Sequence, residues 1–201
     1  VTLRAVFFDV GETLVNEEGY WHAAAGLAGL EPHVVCAALG FAIARGEDHS
    51  ALWRHLGVPR PDAVSELVYD VNDLYPDAVP CLLAMRERGL FVGIVGNQST
   101  AMERWARDQE LPADLIASSA GWRVSKPARG FFERIVREVD EAPGQIAYVG
   151  DRVDFDIIPA ADAGLVAVHI RRGPWGWLQP GTQRAAFRIG SLAELPEVID
   201  A

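Results

Sequence analysis

Cysteine is scarce in this chain: of 201 residues only Cys36 and Cys81 carry a thiol, too few and too far apart for a disulfide framework or a thiolate metal site. Both fall in stretches of helical apolar pattern, so the expectation is two buried free thiols. Basic clusters are missing as well. Acidic residues outnumber basic ones 28 to 18, the net charge is -10, and no basic run exceeds two residues. Binding to a phosphate backbone needs clustered Lys and Arg, so the composition argues against a nucleic-acid partner, and the acidic surface reads as a solubility device. No apolar run approaches the ~20 residues that span a bilayer, and the first residues lack a basic-then-apolar signal pattern. The expectation is a protein without a membrane partner in a reduced, cytoplasmic setting. Internal repeats and low-complexity segments are also lacking.

What is present is a large apolar fraction, 50% of the chain, enough to bury a core without staples in one domain or in one domain with an insertion. Short β-branched or aromatic runs recur at Leu3 to Asp9, Leu90 to Gly96, Leu115 to Ser118, Gln145 to Gly150 and Gly164 to Arg171. Helical patterns separate most of them. Asp77 to Arg88 stops at Gly89, Ser99 to Glu110 starts from a hydroxyl cap, and Pro127 to Val139 begins with proline in its first turn. Alternation of this kind predicts an α/β fold with a parallel sheet of five main strands covered on both faces. Its strand ends at Asp9, Gly96, Ser118 and Gly150 then open on one side.

Between Val15 and Tyr75 the pattern changes. About sixty residues carry no convincing strand, only helical stretches near Glu18 to Leu30, His33 to Ala44, His49 to Leu56 and Asp62 to Val71, separated by turn signals such as Glu31-Pro32. We expect a core of residues 1–15 and 76–201 and an inserted helical subdomain of residues 16–75. It leaves the core directly after Asp9, so it should hang over the strand ends.

Asp9 closes the apolar run Ala5-Val6-Phe7-Phe8 and opens Val10-Gly11-Glu12-Thr13-Leu14, so a carboxylate stands where a buried strand breaks into a turn. Lys126-Pro127 precedes a helical pattern. Gly150-Asp151-Arg152-Val153-Asp154-Phe155-Asp156 places two acids five residues apart after the fourth apolar run, followed by Ala-Ala-Asp-Ala-Gly. A lone aspartate at a strand end is as often a turn or helix cap as a reacting group. Four polar elements at successive strand ends are far more specific. Together they resemble the haloacid dehalogenase-like (HAD) superfamily over nearly the whole chain, and the resemblance implies a Rossmannoid core with a mobile, substrate-selecting helical cap.

It further implies that Asp9 is a nucleophile forming an aspartyl-phosphate and that Lys126 bridges it to the phosphoryl oxygens. Asp9, the main-chain carbonyl of Gly11, Asp151 and Asp156 would form a Mg²⁺ site. Gly96, Asn97 and Gln98, at the end of the second strand and just after it, are candidates to bind the substrate, and so is Trp21 in the cap. Two departures count. Where the family usually has an aspartate that protonates the leaving oxygen, this chain has Gly11, so unactivated phosphate esters should react slowly unless another group substitutes. Glu12 is the nearest replacement, although a turn residue is its plainer reading. At Gly96 the family usually has Ser or Thr; the glycine keeps an amide and loses a hydroxyl. Ser99 is as plausibly a helix cap.

Other residues have plain readings. His22, His55, Trp21 and Trp53 at helical spacing suit packing, Arg171 to Trp177 a surface loop clamping the C-terminal segment, and Asp154 a turn. The leading expectation is a Mg²⁺-dependent phosphohydrolase for a small phosphorylated metabolite. The alternatives are a 2-haloacid dehalogenase, which also lacks the second aspartate but has no use for Asp151 and Asp156, and a weakened member that binds a phosphorylated ligand or protein without turnover.

Overall fold

Six strands form one parallel sheet. The computed structural model describes residues 2–199; Val1, Asp200 and Ala201, which the expected core bounds include, lie outside the described residues. The strands are β1 (Ala5–Phe8), β2 (Phe91–Gly96), β3 (Leu115–Ser118), β4 (Ile146–Gly150), β5 (Val166–Ile170) and β6 (Phe187–Ile189). Their spatial order is β3-β2-β1-β4-β5-β6. After β1 the chain steps outward through β2 to β3, then returns to place β4 against the other side of β1. That reversal opens a crevice at the carboxyl ends of β1, β2 and β4, where open α/β sheets hold ligands.

The helices are α1 (Glu18–Leu27), α2 (Pro32–Ala44), α3 (Ala51–Leu56), α4 (Ala78–Glu87), α5 (Thr100–Asp108), α6 (Ser119–Trp122), α7 (Arg129–Val139), α8 (Ile158–Asp162), α9 (Gly173–Leu178) and α10 (Leu195–Val198). Strand alternation splits the core into two layers. Val6 and Phe8 face one side with Val92, Ile94 and Val149, under the Cys81, Leu82 and Met85 face of α4. Ala5 and Phe7 face the other with Val95 and Tyr148, under Phe131, Phe132 and Ile135 of α7. In α7 the spacing of four between Phe131 and Ile135 sets one apolar stripe on the sheet. Gly93 is required by this packing: a Cβ there would lie 2.3 Å from the Phe7 ring.

Residues 18–73 carry α1, α2, α3 and two short 3₁₀ turns, Asp62–Glu66 and Val71–Asp73. They have their own apolar cluster of Trp21, Val35, Leu39, Ile43, Leu52 and Trp53, which also takes in Trp175 from α9. No single helix among the described residues is long and apolar enough to cross a membrane.

Four expectations need correction. The sheet has a sixth strand, β6, of only three residues at an edge. The stretch from Asp62 to Val71 is a 3₁₀ turn that passes into extended chain at Leu67 instead of a helix; Val64 is the one buried residue of Asp62–Glu66, so no apolar stripe holds a longer helix there. Cys36 is exposed while Cys81 is buried, since α2 turns Val35 and Leu39 inward and position 36 away. The segment after β5 forms the helix α9 with proline in its first turn and packs Trp175 inward instead of running as a surface loop. Its start does hold the C-terminal segment: the Arg171 N–H donates to the Ile189 carbonyl at 2.8 Å, and Arg172 pairs with Asp77, which accepts the Ser191 hydroxyl and the Leu192 N–H.

Candidate active site

The carboxyl ends of β1 and β4 bring three carboxylates together. Asp9, Asp151 and Asp156 each offer an oxygen, all within 4.8 Å of one another, and all three are buried. Asp9 follows β1 directly and Asp151 follows β4. Asp156 returns on the turn of π-helical pitch Val153–Ile157, packing over Gly150, where a Cβ would lie 2.4 Å from its Oδ2. The Asp156 Oδ2 accepts the Arg152 backbone N–H at 2.9 Å, which fixes the turn.

Lys126 supplies the balancing charge. Its Nζ lies 2.7 Å from Asp9 Oδ1 and 2.6 Å from Asp156 Oδ1, with the Tyr148 ring 5.6 Å beneath. Burial by itself would favour the neutral amine, but Asp156 and Asp9 outweigh it and hold the ammonium charged well beyond the usual lysine range. Asn97 fixes the lysine from behind. Its Oδ1 accepts the Lys126 N–H at 2.8 Å and its Nδ2 donates to the Lys126 carbonyl at 2.9 Å. The amide expected to reach a substrate is thus engaged with the backbone of Lys126.

One ammonium does not balance three carboxylates. Among the described residues no Lys, Arg or His forms an ion pair with Asp151, and burial followed by the charges of Asp156 and Asp9 pushes its carboxyl far above the ordinary range. Asp156 rises to about 6, chiefly by burial, against the opposing pull of Lys126. A buried, oxygen-only donor set with surplus negative charge suits a hard divalent cation.

A cavity of about 340 Å³ opens above these groups. Asp9, Gly11, Glu12, Asn97, Gln98, Ser99, Lys126 and Asp151 line it from the sheet side; Glu17, Tyr20, Trp21, His49 and Arg60 line it from residues 16–75. The sheet side also contributes Arg152, which stacks on Phe155 at 3.7 Å and Trp175 at 4.8 Å while pairing with Asp154. Asp154 is therefore occupied with Arg152 and stands apart from the carboxylate group. Ser99 accepts the Met102 N–H at 3.2 Å as the cap of α5. Trp21 is buried, and its indole Nε1 has no hydrogen-bond partner among the described residues. His22 pairs loosely with Glu18 at the surface, His55 with Glu47, and Trp53 belongs to the cluster of the inserted helices.

Gly96 and Gly11 are both filled from outside. A Cβ on Gly96 would lie 2.3 Å from Asp9 Oδ1, so the glycine leaves room for the nucleophile candidate itself. A Cβ on Gly11 would lie 2.3 Å from Glu17 Oε1. Glu17 thus occupies the space that a side chain at residue 11 would enter, and no motif in the sequence signals it. Its carboxyl is raised by burial, with Tyr69 opposing through a hydrogen bond of 2.6 Å. Glu12 also lines the cavity. The Tyr75 hydroxyl donates to its Oε2 at 2.6 Å and the Glu17 N–H to its Oε1 at 3.3 Å. Burial, then the Glu17 charge, raises it to about 7.

Comparison with known proteins agrees with this geometry. Residues 3–164 match the family model of the haloacid dehalogenase-like hydrolases. The chain is 31% identical to a glyceraldehyde 3-phosphate phosphatase of Methanopyrus kandleri, over 98% of this chain and 97% of that protein. It is 30% identical to a ribulose-1,5-bisphosphate 5-phosphatase of Halopiger xanaduensis, over 74% and 69%. Among solved structures, the HAD-hydrolase YfnB of Bacillus subtilis bound to magnesium superposes with a TM-score of 0.76 at 17% identity, over the whole of both chains.

Proposed function

The chain belongs to the haloacid dehalogenase-like hydrolases, and from that premise we propose that it is a phosphohydrolase acting on a small phosphorylated metabolite through an aspartyl-phosphate on Asp9. The observation that carries this reading is the Asp9–Lys126–Asp156 arrangement at the cavity floor. A carboxylate can attack phosphorus only if the phosphoryl charge is neutralised, and Lys126 already stands against the attacking group. Asp156 and the Asn97 amide position the ammonium, and Asp9, whose Oδ1 lies next to Gly96, lines the same cavity.

Asp9, the Gly11 carbonyl and Asp151 are the residues that would hold Mg²⁺, with Asp156 completing the acidic wall. A bound divalent cation supplies charge neutralisation for the phosphoryl oxygens. Two relatives that act on a triose phosphate and a pentulose bisphosphate favour a phosphorylated sugar as substrate. A cavity of about 340 Å³ suits a molecule of that size. The helices of residues 16–75 supply one wall of it, which fits a cap that selects substrate. An exposed free thiol at Cys36 fits a reduced, cytoplasmic setting.

Gly11 alone would also suit a dehalogenase, which needs no acid for its leaving group, but such an enzyme gives no use to an unpaired Asp151. Purified protein should hydrolyse aryl phosphates and phosphorylated sugars with Mg²⁺, lose the activity to a chelator, and lose it wholly as Asp9→Asn. Metal-independent halide release from 2-haloacids, without phosphate release from any ester, would overturn the assignment.

A further inference from the structure

We propose that Glu17 is the catalytic residue that exchanges the proton in this reaction, its carboxyl standing in the space a side chain on Gly11 would fill. The inference rests on the phosphohydrolase reading and adds to it the group that lets unactivated esters react. The alcohol part of an alkyl phosphate departs as an alkoxide unless a proton reaches its oxygen, so turnover of sugar phosphates calls for a proton donor beside the leaving oxygen. Two glutamates line the cavity.

Glu12 is held as a brace. Both of its oxygens accept hydrogen bonds, from the Tyr75 hydroxyl and the Glu17 N–H, and its side chain packs against Gly173, where a Cβ would lie 2.4 Å from its Cγ. It ties the loop after β1 to the start of α9. Glu17 differs. It immediately precedes α1, and its side chain turns back over the loop after β1, so that Oε1 lies 2.3 Å and Cδ 2.9 Å from the place of a Cβ on Gly11, two residues past Asp9. The Tyr69 hydroxyl donates to Oε1 at 2.6 Å and would itself lie 3.3 Å from that Cβ, so the carboxyl is anchored in place. Because Glu17 and Tyr69 both come from residues 16–75, the proton donor is carried by the same segment that walls the cavity above the substrate.

The chemistry balances. An Asp9 carboxylate oxygen bonds to phosphorus as the bond from phosphorus to the leaving oxygen breaks, and the Glu17 carboxyl gives its proton to that oxygen, releasing an alcohol. The Glu17 carboxylate then takes a proton from water as the water oxygen attacks the aspartyl-phosphate. The bond from phosphorus to Asp9 breaks, inorganic phosphate leaves, and Glu17 is protonated again.

The test separates the two steps by leaving group. In Glu17→Gln, turnover of an alkyl phosphate should fall 10²–10⁴-fold, the range typical of general acid–base catalysis. An aryl phosphate needs no proton to leave, so the same variant should release one equivalent of phenolate in a burst and accumulate aspartyl-phosphate, seen by mass spectrometry after acid quench. Gly11→Asp combined with Glu17→Ala moves the carboxyl to the other side of the same space and should recover alkyl phosphate turnover at least tenfold over Glu17→Ala, a comparison that also covers a poorly folding Glu17→Gln. Turnover of both esters unchanged in Glu17→Gln, an equal slowing of both with no burst, or a burst in Glu12→Gln instead would overturn the assignment while leaving the phosphohydrolase intact. An unaltered protein that turns over neither ester and forms no phosphoenzyme would remove the phosphohydrolase reading and the inference with it.

Discussion

Lys126 is only 4% exposed, yet it keeps its charge because two carboxylates bracket it at 2.6 and 2.7 Å. Replacing it by Met would fit the apolar lining given by Tyr148 but leave Asp9 and Asp156 facing each other without a cation. Breaking a buried pair from one side costs about 3–5 kcal/mol, because the remaining charge has nowhere to go. Lys126→Met should therefore lower the melting temperature by roughly 6–20 °C, at about 2–4 °C per kcal/mol for a chain of this length, and abolish phosphate release. Calorimetry showing an unshifted transition would mean that the lysine contributes nothing to the balance of the site. The three acids and this lysine were legible in the sequence because parallel strands deliver their terminal residues to one edge whatever the side-chain details. Orientation was not. That Asn97 turns to the backbone of Lys126, that Glu12 braces Tyr75, and that Glu17 fills the space at Gly11 all depend on contacts between segments as much as 63 residues apart, which no local spacing encodes.

Among the elements, α9 has the most to explain. Six residues long, it places Trp175 in the apolar cluster of the inserted helices, near α2, while Arg172 at its cap donates to the Thr13 carbonyl at 2.9 Å and pairs with Asp77. It is the joint between the helices over the cavity and the sheet below. Trp175 is 4% exposed, and Arg152 stacks on it from the cavity side. Trp175→Ala should cost about 3–5 kcal/mol, as for other buried aromatics cut to alanine, and should raise KM more than it lowers kcat, since it unseats the wall of the cavity and not its floor. A loss confined to kcat would place Trp175 in the chemistry instead. In the sequence this segment reads as a surface loop because Gly173-Pro174 breaks the pattern; proline in fact opens the helix, and the apolar face is too short to declare a period. The edge strand β6 escaped for the same reason, with Phe187 and Ile189 the only apolar positions of its three residues. The runs β1, β2, β4 and β5 were legible because burial on both faces writes them as continuous apolar sequence, and the stripes of α4 and α7 because one buried face repeats at helical spacing.

Across the whole molecule, the charge of -10 is not spread evenly: five carboxylates, Asp9, Glu12, Glu17, Asp151 and Asp156, line or adjoin one cavity whose floor holds a single ammonium. Without a divalent cation that surplus opposes folding. The folded carboxyls of Asp151 and Asp156 lie above their ordinary value of 3.8, the latter at about 6, so the folded state holds protons that the unfolded chain has released. A group raised in this way contributes stability below its unfolded pKa and loses it as pH rises through the folded one. In chelator, the melting temperature should accordingly fall between about pH 4 and pH 7. On the proposed metal site, Mg²⁺ at a hundredfold excess over its dissociation constant would add about 2.7 kcal/mol by mass action, or roughly 5–11 °C, and its benefit should grow with pH because the ionised carboxylates are the form that would hold it. Asp151→Asn separates these terms. It removes a carboxylate with no cationic partner among the described residues, so in chelator it should melt higher than the unaltered protein at neutral pH, and it removes a proposed metal ligand, so the Mg²⁺-dependent rise should largely vanish. A variant that keeps the full Mg²⁺ shift would show that the cation sits elsewhere, and one that melts lower in chelator would show that Asp151 is balanced by something other than a metal.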